Sequence, residues 1–281
     1  MLFVVLCAMA AFLVRSVAIA PFNIPSESML PNFMVGDYIV ATKWNYGYSR
    51  YSTAFGLLPG GRRWGGSDPV RGDIVVFAGP FDPSTTYIKR IVGMPGDTVQ
   101  MRRGIVWLNG RPVRQTAIPD LIIPLSPNKT CLAIPGVIDL RTTMRDGRMG
   151  CRYIRRIESL PDGPSYAVLD FAVARSDDTG VFHVPADHYF MLGDNRDDSA
   201  DSRFSRRAGG LQMVPADRII GKARFIFFSS DGNASLLRPW TWRSGIRWDR
   251  LGTIGRSHPD ALAVRSAPTP DAKMKVPDTD S

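Results

Sequence analysis

Two serines between two prolines come directly after the one long apolar run of this 281-residue chain. Pro25 and Pro31 bracket Ser26 and Ser28, and each proline fixes its own φ and restricts the residue before it. Residues 23–31 therefore cannot form the interior of a helix. Such a stretch is either a plain linker or a rigid turn that holds hydroxyl groups in place, and the rest of the sequence has to decide between the two.

The apolar run before this stretch predicts a membrane anchor. Residues 2–14 are all apolar, and Arg15 is the first charge. Because a helix needs about 20 residues to cross a bilayer, we expect residues 1–21 to form one transmembrane helix, with Arg15 reaching toward an interface. A cleavable signal peptide is the alternative, since Ala18-Ile19-Ala20 resembles a cleavage site. Pro21 after that site, and the lack of a basic residue before the run, favour a retained anchor.

Short β-branched runs that follow Gly, Asp or Pro turns predict a mainly β fold. The 26 glycines and 22 prolines also favour many short strands over long helices. Asn109-Gly110 predicts a tight hairpin turn. We expect the principal strands at residues 38–41, 74–77, 87–92, 98–101, 189–192 and 219–228.

Two other segments differ in composition from this core. Residues 111–185 carry isolated strand-like pieces among Pro, Asp and Arg, which predicts a smaller β-rich lobe inserted in the first. The last residues are rich in Pro, Asp, Ala and Lys, which predicts disorder. The expected organisation is an anchor helix, a catalytic β core in two pieces, the inserted lobe and a disordered tail, at residues 1–21, 22–110 with 186–256, 111–185, and 257–281 respectively.

The formal net charge of +9 fits nucleic acid, an anionic membrane surface or an anionic polymer of the cell envelope as a partner. The sequence has no compact basic and aromatic motif of the kind that binds nucleic acid, so we expect a lipid bilayer as partner and no nucleic acid. Residues 203–256 combine many arginines with Trp240, Trp242 and Trp248. That combination suits a membrane interface and equally a solvated face with tryptophans in the core.

The cysteines leave two alternatives open. Cys131 and Cys151 lie in the loop-rich part of the chain. They would form a disulfide if this part lies outside the cytoplasm, and two free buried thiols fit equally well. No Cys-x-x-Cys pattern and no histidine cluster indicates a metal site, so we expect neither a metal nor another cofactor.

A serine acts as a nucleophile only when a base takes its proton. His183 and His188 lie in or beside a strand-like segment, where histidine is more often a structural hydrogen-bonding residue, and His258 lies in the tail. A Ser-His-Asp triad therefore lacks an obvious member. Lysine serves instead when burial lowers its pKa toward neutrality, and Lys89 is the candidate.

Four motifs occur in order, at residues 25–31, 71–77, 87–97 and 193–203: Pro-Ser-Glu-Ser-Met-Leu-Pro, Arg-Gly-Asp-Ile-Val-Val-Phe, Tyr-Ile-Lys-Arg-Ile-Val-Gly-Met-Pro-Gly-Asp and Gly-Asp-Asn-Arg-Asp-Asp-Ser-Ala-Asp-Ser-Arg. Together they resemble the bacterial type I signal peptidases, the leader peptidases of the Ser/Lys class. The inserted lobe and the tail match loosely. The resemblance implies a mainly antiparallel, barrel-like β fold, anchored by one helix in the cytoplasmic membrane, with the catalytic domain on the extracytoplasmic side.

The resemblance also assigns roles position by position. It implies that Ser28 is the nucleophile and Lys89 the general base. The hydroxyl of Ser26 and the backbone N–H of Ser28 would bind the oxyanion of the transition state. The supporting residues that it implies are Ser199, which orients the lysine, the pair Asp201 and Arg203, and Asp194 and Arg196 of the same block.

Two positions depart from the family pattern. Glu27 stands where glycine is common, which restricts the backbone between the two serines. Asp198 stands where asparagine is frequent. A carboxylate there would raise the pKa of Lys89 if it points inward.

The implied reaction is hydrolysis of one peptide bond in an exported preprotein, through an acyl-enzyme. Shallow apolar pockets would accept small side chains at the first and third positions before the cut, and the substrate would bind as an added strand. We expect the apolar side chains of Phe22, Ile24, Met29 and Phe33 to rest on the bilayer.

Two other functions fit parts of the sequence. A non-catalytic, membrane-anchored cationic β-domain that binds envelope polymer or lipid would account for the net charge of +9. A specialised Ser/Lys peptidase that serves a pilin or transfer system would account for the motifs.

Overall fold

Strands make up most of the regular structure in the computed structural model, which describes residues 1–53, 56, 58–134, 138–235 and 237–253. The tail expected at 257–281 lies outside these residues. The α-helices of the described part are α1 Leu2–Val17 and α2 Trp242–Gly245. In chain order its strands are β1 Ile19–Asn23, β2 Asp37–Thr42, β3 Ile74–Ala78, β4 Thr86–Gly93, β5 Thr98–Arg102, β6 Ile105–Leu108, β7 Arg111–Pro112, β8 Arg114–Pro124, β9 Ala133–Ile134, β10 Ile138–Asp139, β11 Arg141–Thr143, β12 Met149–Ser159, β13 Ser165–Leu169, β14 Phe182–His183, β15 His188–Leu192, β16 Val214–Pro215, β17 Ile219–Ser229 and β18 Gly252–Thr253.

The main sheet has eight strands, in the order β1-β2-β17-β3-β4-β15-β16, with β18 paired to β17. Each of these pairings is antiparallel, as expected. The expected barrel-like closure is wrong for the part of the chain that the structure describes. Since β1 and β16 lie at opposite ends of the path and do not pair with each other, the sheet stays open.

Three smaller sheets accompany the main one. In the first, the long strand β12 pairs with β8 along one edge and with β11 and β13 along the other. All four of these strands lie between residues 111 and 185. The second sheet has the order β14-β5-β6-β7, and the third consists of β9 and β10.

The hairpin turn predicted at Asn109-Gly110 is confirmed. Both residues have positive φ, 52° and 76°, and they connect β6 to β7. Positive φ at both central residues gives the turn the twist of the strands that it joins. Asparagine tolerates this conformation and glycine adopts it without a steric penalty.

Helix α1 ends at Val17, before the predicted end of the anchor at residue 21. The reason is long-range pairing: β1 begins at Ile19 and pairs along its whole length with β2. Local composition predicts continued helix here, but the sheet takes these residues instead. Among the residues that the structure describes, we find no helix with the length and apolarity that crossing a membrane requires.

Side chains from the loop after β2 satisfy the end of α1. The last carbonyls of a helix have no partner within the helix. Lys43 Nζ donates to the carbonyl of Arg15 at 2.9 Å and to that of Ser16 at 3.3 Å. The Tyr48 hydroxyl donates to the carbonyl of Val17 at 2.7 Å. These bonds fix the end of α1 against the loop after β2.

Apolar residues around the serine stretch are buried in the core. Ile24, Met29 and Phe33 pack against the main sheet, and each is at most 2% exposed. Our expectation that these side chains rest on a bilayer is therefore wrong, whereas Phe22 at the rim is partly exposed. The reason is that the chain doubles back, so that Ile24 exchanges backbone hydrogen bonds with Gly36 and Asp37. Burial of these side chains fixes the backbone on both sides of Ser28.

Candidate active site

The segment that carries Ser28 is a tight turn held against two parts of the chain. The N–H of Leu30 donates to the carbonyl of Glu27 at 2.9 Å, and Asn195 N–H donates to the carbonyl of Ser28 at 3.1 Å. The Asn195 side-chain amide also donates to the carbonyl of Glu27 at 3.2 Å. Ser28 is 7% exposed. The turn therefore places its hydroxyl at a defined point of a nearly closed site.

Lys89 lies in the middle of β4, opposite Val75 of β3. Its side chain is 4% exposed, and its Nζ lies 2.6 Å from Ser28 Oγ. Burial lowers the pKa of Lys89 from 10.5 to about 8, because a charged amine is disfavoured when it loses water. A substantial fraction of the amine is thus neutral near physiological pH, which a general base requires.

Three carboxylates act against this effect of burial. Asp201, Asp194 and Asp198, in decreasing order, raise the pKa of Lys89 by stabilising its charged form. Asp198 is an exposed residue, and its carboxylate still raises the pKa of Lys89, although burial of the lysine outweighs this effect.

Ser26 lies beside the nucleophile candidate, on the exposed side of the turn. Its Oγ is 3.3 Å from Ser28 Oγ. Within the described residues, the backbone N–H of Ser28 donates to no protein acceptor. The Ser26 hydroxyl and this N–H are thus two hydrogen-bond donors beside Ser28 Oγ.

Ser199 is placed next to the site, but without the hydrogen bond that we expected. Its side chain is buried, and its Oγ has no hydrogen-bond partner among the described residues. It packs on Gly193, where an added Cβ would come within 2.2 Å of Ser199 Oγ and 2.5 Å of the Ser28 carbonyl oxygen. Gly193 is therefore required for the close approach of these two serines.

Asp201 and Arg203 form the expected pair. The Arg203 guanidinium donates to both carboxylate oxygens of Asp201, at 2.9 and 3.0 Å, and both side chains are buried. Asp201 also accepts from the backbone N–H of Gly193 at 3.1 Å. The pair thus holds the peptide against which Ser28 packs.

Asp194 and Arg196 each take a buried partner of opposite charge. The guanidinium of Arg90, one residue after the lysine, donates twice to Asp194 at 2.8 Å. Arg196 donates to Glu158 of β12 at 2.6 Å. Sequence reasoning missed both partners: Arg90 lies inside a motif that we singled out, whereas nothing in the sequence around Glu158 marks it.

The structure decides between the two alternatives for the cysteines. Cys131 and Cys151 are joined in a disulfide, so the interpretation as two free thiols is wrong.

Two of the three histidines lie among the described residues. The ring of His188 contacts the carbonyl of Ala186 at 2.8 Å, and His183 is exposed. His258 lies outside the described residues.

Three carboxylates, missed in the sequence, form an acidic cluster. Single oxygens of Asp170, Asp177 and Asp197 lie within 4.8 Å of one another, a spacing that would suit a hard cation. Burial and then repulsion from the other two raise the pKa of Asp170 to about 6. Backbone N–H groups of Phe171 and Ala172 already donate to Asp197, so the cluster also serves to order its own loop.

Comparison with known proteins gives a family. The model of the signal peptidase family, peptidase S26, matches residues 1–228. The signal peptidase I of Rickettsia typhi is 36% identical over 230 residues, which cover 78% of this chain and 76% of that protein. Those of Rickettsia canadensis and Rickettsia rickettsii are 37% and 36% identical, covering 78% and 86% of this chain and 76% and 86% of theirs.

An antiparallel β protein with a buried lysine against a serine, and with these relatives, is a serine endopeptidase. The chain belongs to the signal peptidase I family, peptidase S26. The non-catalytic alternative does not account for this membership or for a desolvated lysine in contact with a serine hydroxyl.

Proposed function

We propose that this protein removes N-terminal signal peptides from exported preproteins, with Ser28 as nucleophile and Lys89 as general base. The observation that carries the proposal is the 2.6 Å contact between Lys89 Nζ and Ser28 Oγ in a buried site. Burial keeps the amine partly neutral, so it is able to accept the serine proton. The family relationship supports the substrate class.

The reaction proceeds in two halves. In the first, Lys89 takes the proton of Ser28 while Ser28 Oγ bonds to the scissile carbonyl carbon. The C–N bond then breaks, and the proton passes from Lys89 to the departing amine of the mature protein. In the second half, Lys89 takes a proton from water, whose oxygen attacks the acyl-enzyme. Release of the signal peptide returns the proton to Ser28 Oγ.

The negative oxygen of each tetrahedral intermediate would lie between two donors. The Ser26 hydroxyl and the free backbone N–H of Ser28 are the groups that we assign to this role. Loss of one such donor costs about 2.7–4 kcal/mol in known cases. Hydrogen bonds from Asn195 to the carbonyls of Glu27 and Ser28 hold the turn that carries both donors.

Four further residues have supporting roles in this proposal. Asp201 and Arg203 fix the Gly193 peptide, and Gly193 sets the approach of Ser199 to the backbone of Ser28. We assign the orientation of the lysine to Ser199 in the substrate complex, since its buried hydroxyl has no other partner among the described residues.

We also propose that residues 111–185 form an inserted lobe and that α1 is a single-pass anchor in the cytoplasmic membrane, with the catalytic domain outside. The four-stranded sheet around β12 supports the lobe. Leu2, Phe3 and Val4 of α1, each exposed by two thirds or more, support the anchor. The Cys131–Cys151 disulfide favours an oxidising compartment.

A cleavage assay with the purified full chain and one model preprotein tests the proposal. Ser28→Ala and Lys89→Met should each abolish formation of the mature protein, whereas the exposed-loop control Ser84→Ala should cleave normally. Full activity of Ser28→Ala would overturn the assignment of the nucleophile. A survey of exported proteins that accumulate uncleaved on depletion separates the alternatives: many substrates support general processing, and a single one supports a specialised peptidase.

A further inference from the structure

A second buried lysine contacts the serine turn, through Glu27 and not through Ser28. Lys129 is 4% exposed and lies in the loop between β8 and β9. Its Nζ donates to Glu27 Oε2 at 2.5 Å, to the hydroxyl of Tyr153 at 2.5 Å and to the carbonyl of Thr130 at 3.1 Å. An ammonium group has three N–H donors, so each donor of Lys129 has an acceptor.

Tyr153 contacts both Lys129 and Glu27. Its hydroxyl lies 3.4 Å from Glu27 Oε2, and the Lys129 ammonium lies 4.8 Å from the centre of its aromatic ring. Tyr153 is 1% exposed and packs edge-on against Phe171 at 5.5 Å. The carboxylate of Glu27 is thus held between a cation and a hydroxyl that are both fixed by burial.

The disulfide joins the two segments that supply this grip. Cys131 lies two residues after Lys129, and Cys151 lies two residues before Tyr153 on β12. The Lys129 loop is held independently, since Asn128 N–H donates to the carbonyl of Asp231 at 3.1 Å. The grip on Glu27 therefore comes from strand β12 and the loop before β9, neither of which carries Lys89.

Glu27 lies between the two serines, and the peptide that follows it carries the Ser28 N–H. The contacts of its partly exposed side chain with Lys129 and Tyr153 therefore bear directly on the serine turn. Leu30 and Met34, just after the turn, pack in one apolar cluster with Cys151 and Tyr153. The same segment thus contacts the serine turn through both charge and packing.

We propose that Lys129 is a positioning residue for the reaction: held by the disulfide beside Tyr153, it acts through Glu27 to fix the turn that carries Ser26 and Ser28. This inference rests on the proposed role of Ser28. The effect of Lys129 passes through Glu27, because Lys129 touches neither Ser28 nor Lys89 in the contacts described above. A misplacement of reacting atoms by about 1 Å costs on the order of 100-fold in rate, which sets the scale of the effect.

The positive charge of Lys129 also affects the pKa of Lys89. Lys129 contacts Glu27 and acts through its charge on the exposed Asp198, which in turn acts on Lys89. The other carboxylates near Lys89, Asp194 and Asp201, are each paired with an arginine. Without the Lys129 cation, the negative charge of the Glu27 and Asp198 pair is uncompensated. The neutral form of Lys89 is then harder to reach, and the acidic limb of the rate profile moves to higher pH.

The test is a double-mutant cycle on the full chain, with kcat, KM and the pH profile measured on one preprotein. Lys129→Met should lower kcat about 10- to 100-fold, leave KM within about twofold and move the acidic limb to higher pH. In a Glu27→Gly background the same substitution should cause no further loss of kcat, whereas the part of the pH shift that comes from Asp198 should remain. Arg152→Met, which removes an exposed cation from the same strand as Tyr153, is the matched control and should match the parent protein.

Each result bears on the proposal. Losses that add in the double variant, or an unchanged kcat and pH profile in Lys129→Met, would overturn it. If Lys129→Met fails to fold by circular dichroism, Tyr153→Phe carries the test, since it removes one acceptor and keeps the ring. Its smaller loss should also vanish in the Glu27→Gly background, and persistence of that loss would refute the role. Retained activity in Ser28→Ala would instead indicate that the proposed function is wrong.

Discussion

The backbone N–H of Asn195 donates to the carbonyl of Ser28 at 3.1 Å. This one bond joins two motifs that are far apart in the sequence, the serine turn and the Gly-Asp-Asn block. Around it, the chain leaves no space: the turn, Gly193 and Ser199 meet within van der Waals contact. Changes on either side of this bond are therefore expected to reach the nucleophile candidate.

Gly193→Ala tests how close that approach is. The new Cβ would lie 2.2 Å from Ser199 Oγ and 2.5 Å from the Ser28 carbonyl oxygen, so both serines must shift. We expect kcat/KM for preprotein cleavage to fall on the order of 100-fold. Gly180→Ala is the control, because an added Cβ there meets nothing within 4 Å. Equal activity of the two variants would show that the turn accommodates the methyl group.

The pH dependence of kcat/KM reports the base in the free enzyme. The reaction requires neutral Lys89, whose pKa is about 8. We therefore expect kcat/KM to rise with pH and to reach half of its maximum at a pH of about 8. Asp198→Asn removes a carboxylate that raises this pKa, and should move the midpoint to lower pH. Asp146→Asn in an exposed turn should leave it in place. A midpoint near about 6.5, insensitive to Asp198, would instead indicate a histidine.

The buried ion pair of Arg90 and Asp194 is expected to matter for stability. Arg90→Met leaves Asp194 buried without its cation, and such losses cost about 3–5 kcal/mol in the free energy of unfolding. Urea denaturation measures the change. Arg141→Met breaks an exposed pair with Asp139 and should leave the midpoint unchanged within error. Comparable shifts in both variants would contradict a special role for burial.

The disulfide is expected to stabilise the segment that grips Glu27. Cys131 and Cys151 are separated by 20 positions, and closing a loop of that size is worth about 3 kcal/mol. Reductant should lower the melting temperature of the native protein to that of the Cys131→Ser, Cys151→Ser double variant. The double variant itself should not respond to reductant. A response in the variant would place the effect elsewhere.

Strand positions were predictable because they follow local chemistry. Residues 87–92 contain the β-branched residues Ile88, Ile91 and Val92, and they lie within β4. Asn109-Gly110 specifies its own turn through the φ values that it permits. The contact of Ser28 with Lys89 followed from motif resemblance, since no local rule brings two residues together across that length of chain.

Long-range pairings were beyond local rules. Glu158 is one acidic residue in a strand, and its burial against Arg196 depends on how β12 meets the Gly-Asp-Asn block. Lys129 reads as a solvated loop lysine, although it is nearly inaccessible. The predicted end of the anchor helix was wrong for the same reason, because β2 pairs with residues whose composition suits a helix.

One consequence follows from the short connection between α1 and the serine turn. β1 starts two residues after α1 ends, and its other end lies just before the turn. Lys43 and Tyr48 donate hydrogen bonds to the last carbonyls of α1. The connection from α1 to Ser28 is therefore held in place and is not a flexible linker. The spacing between the end of α1 and Ser28 is therefore set by the sheet and not by a loose connection.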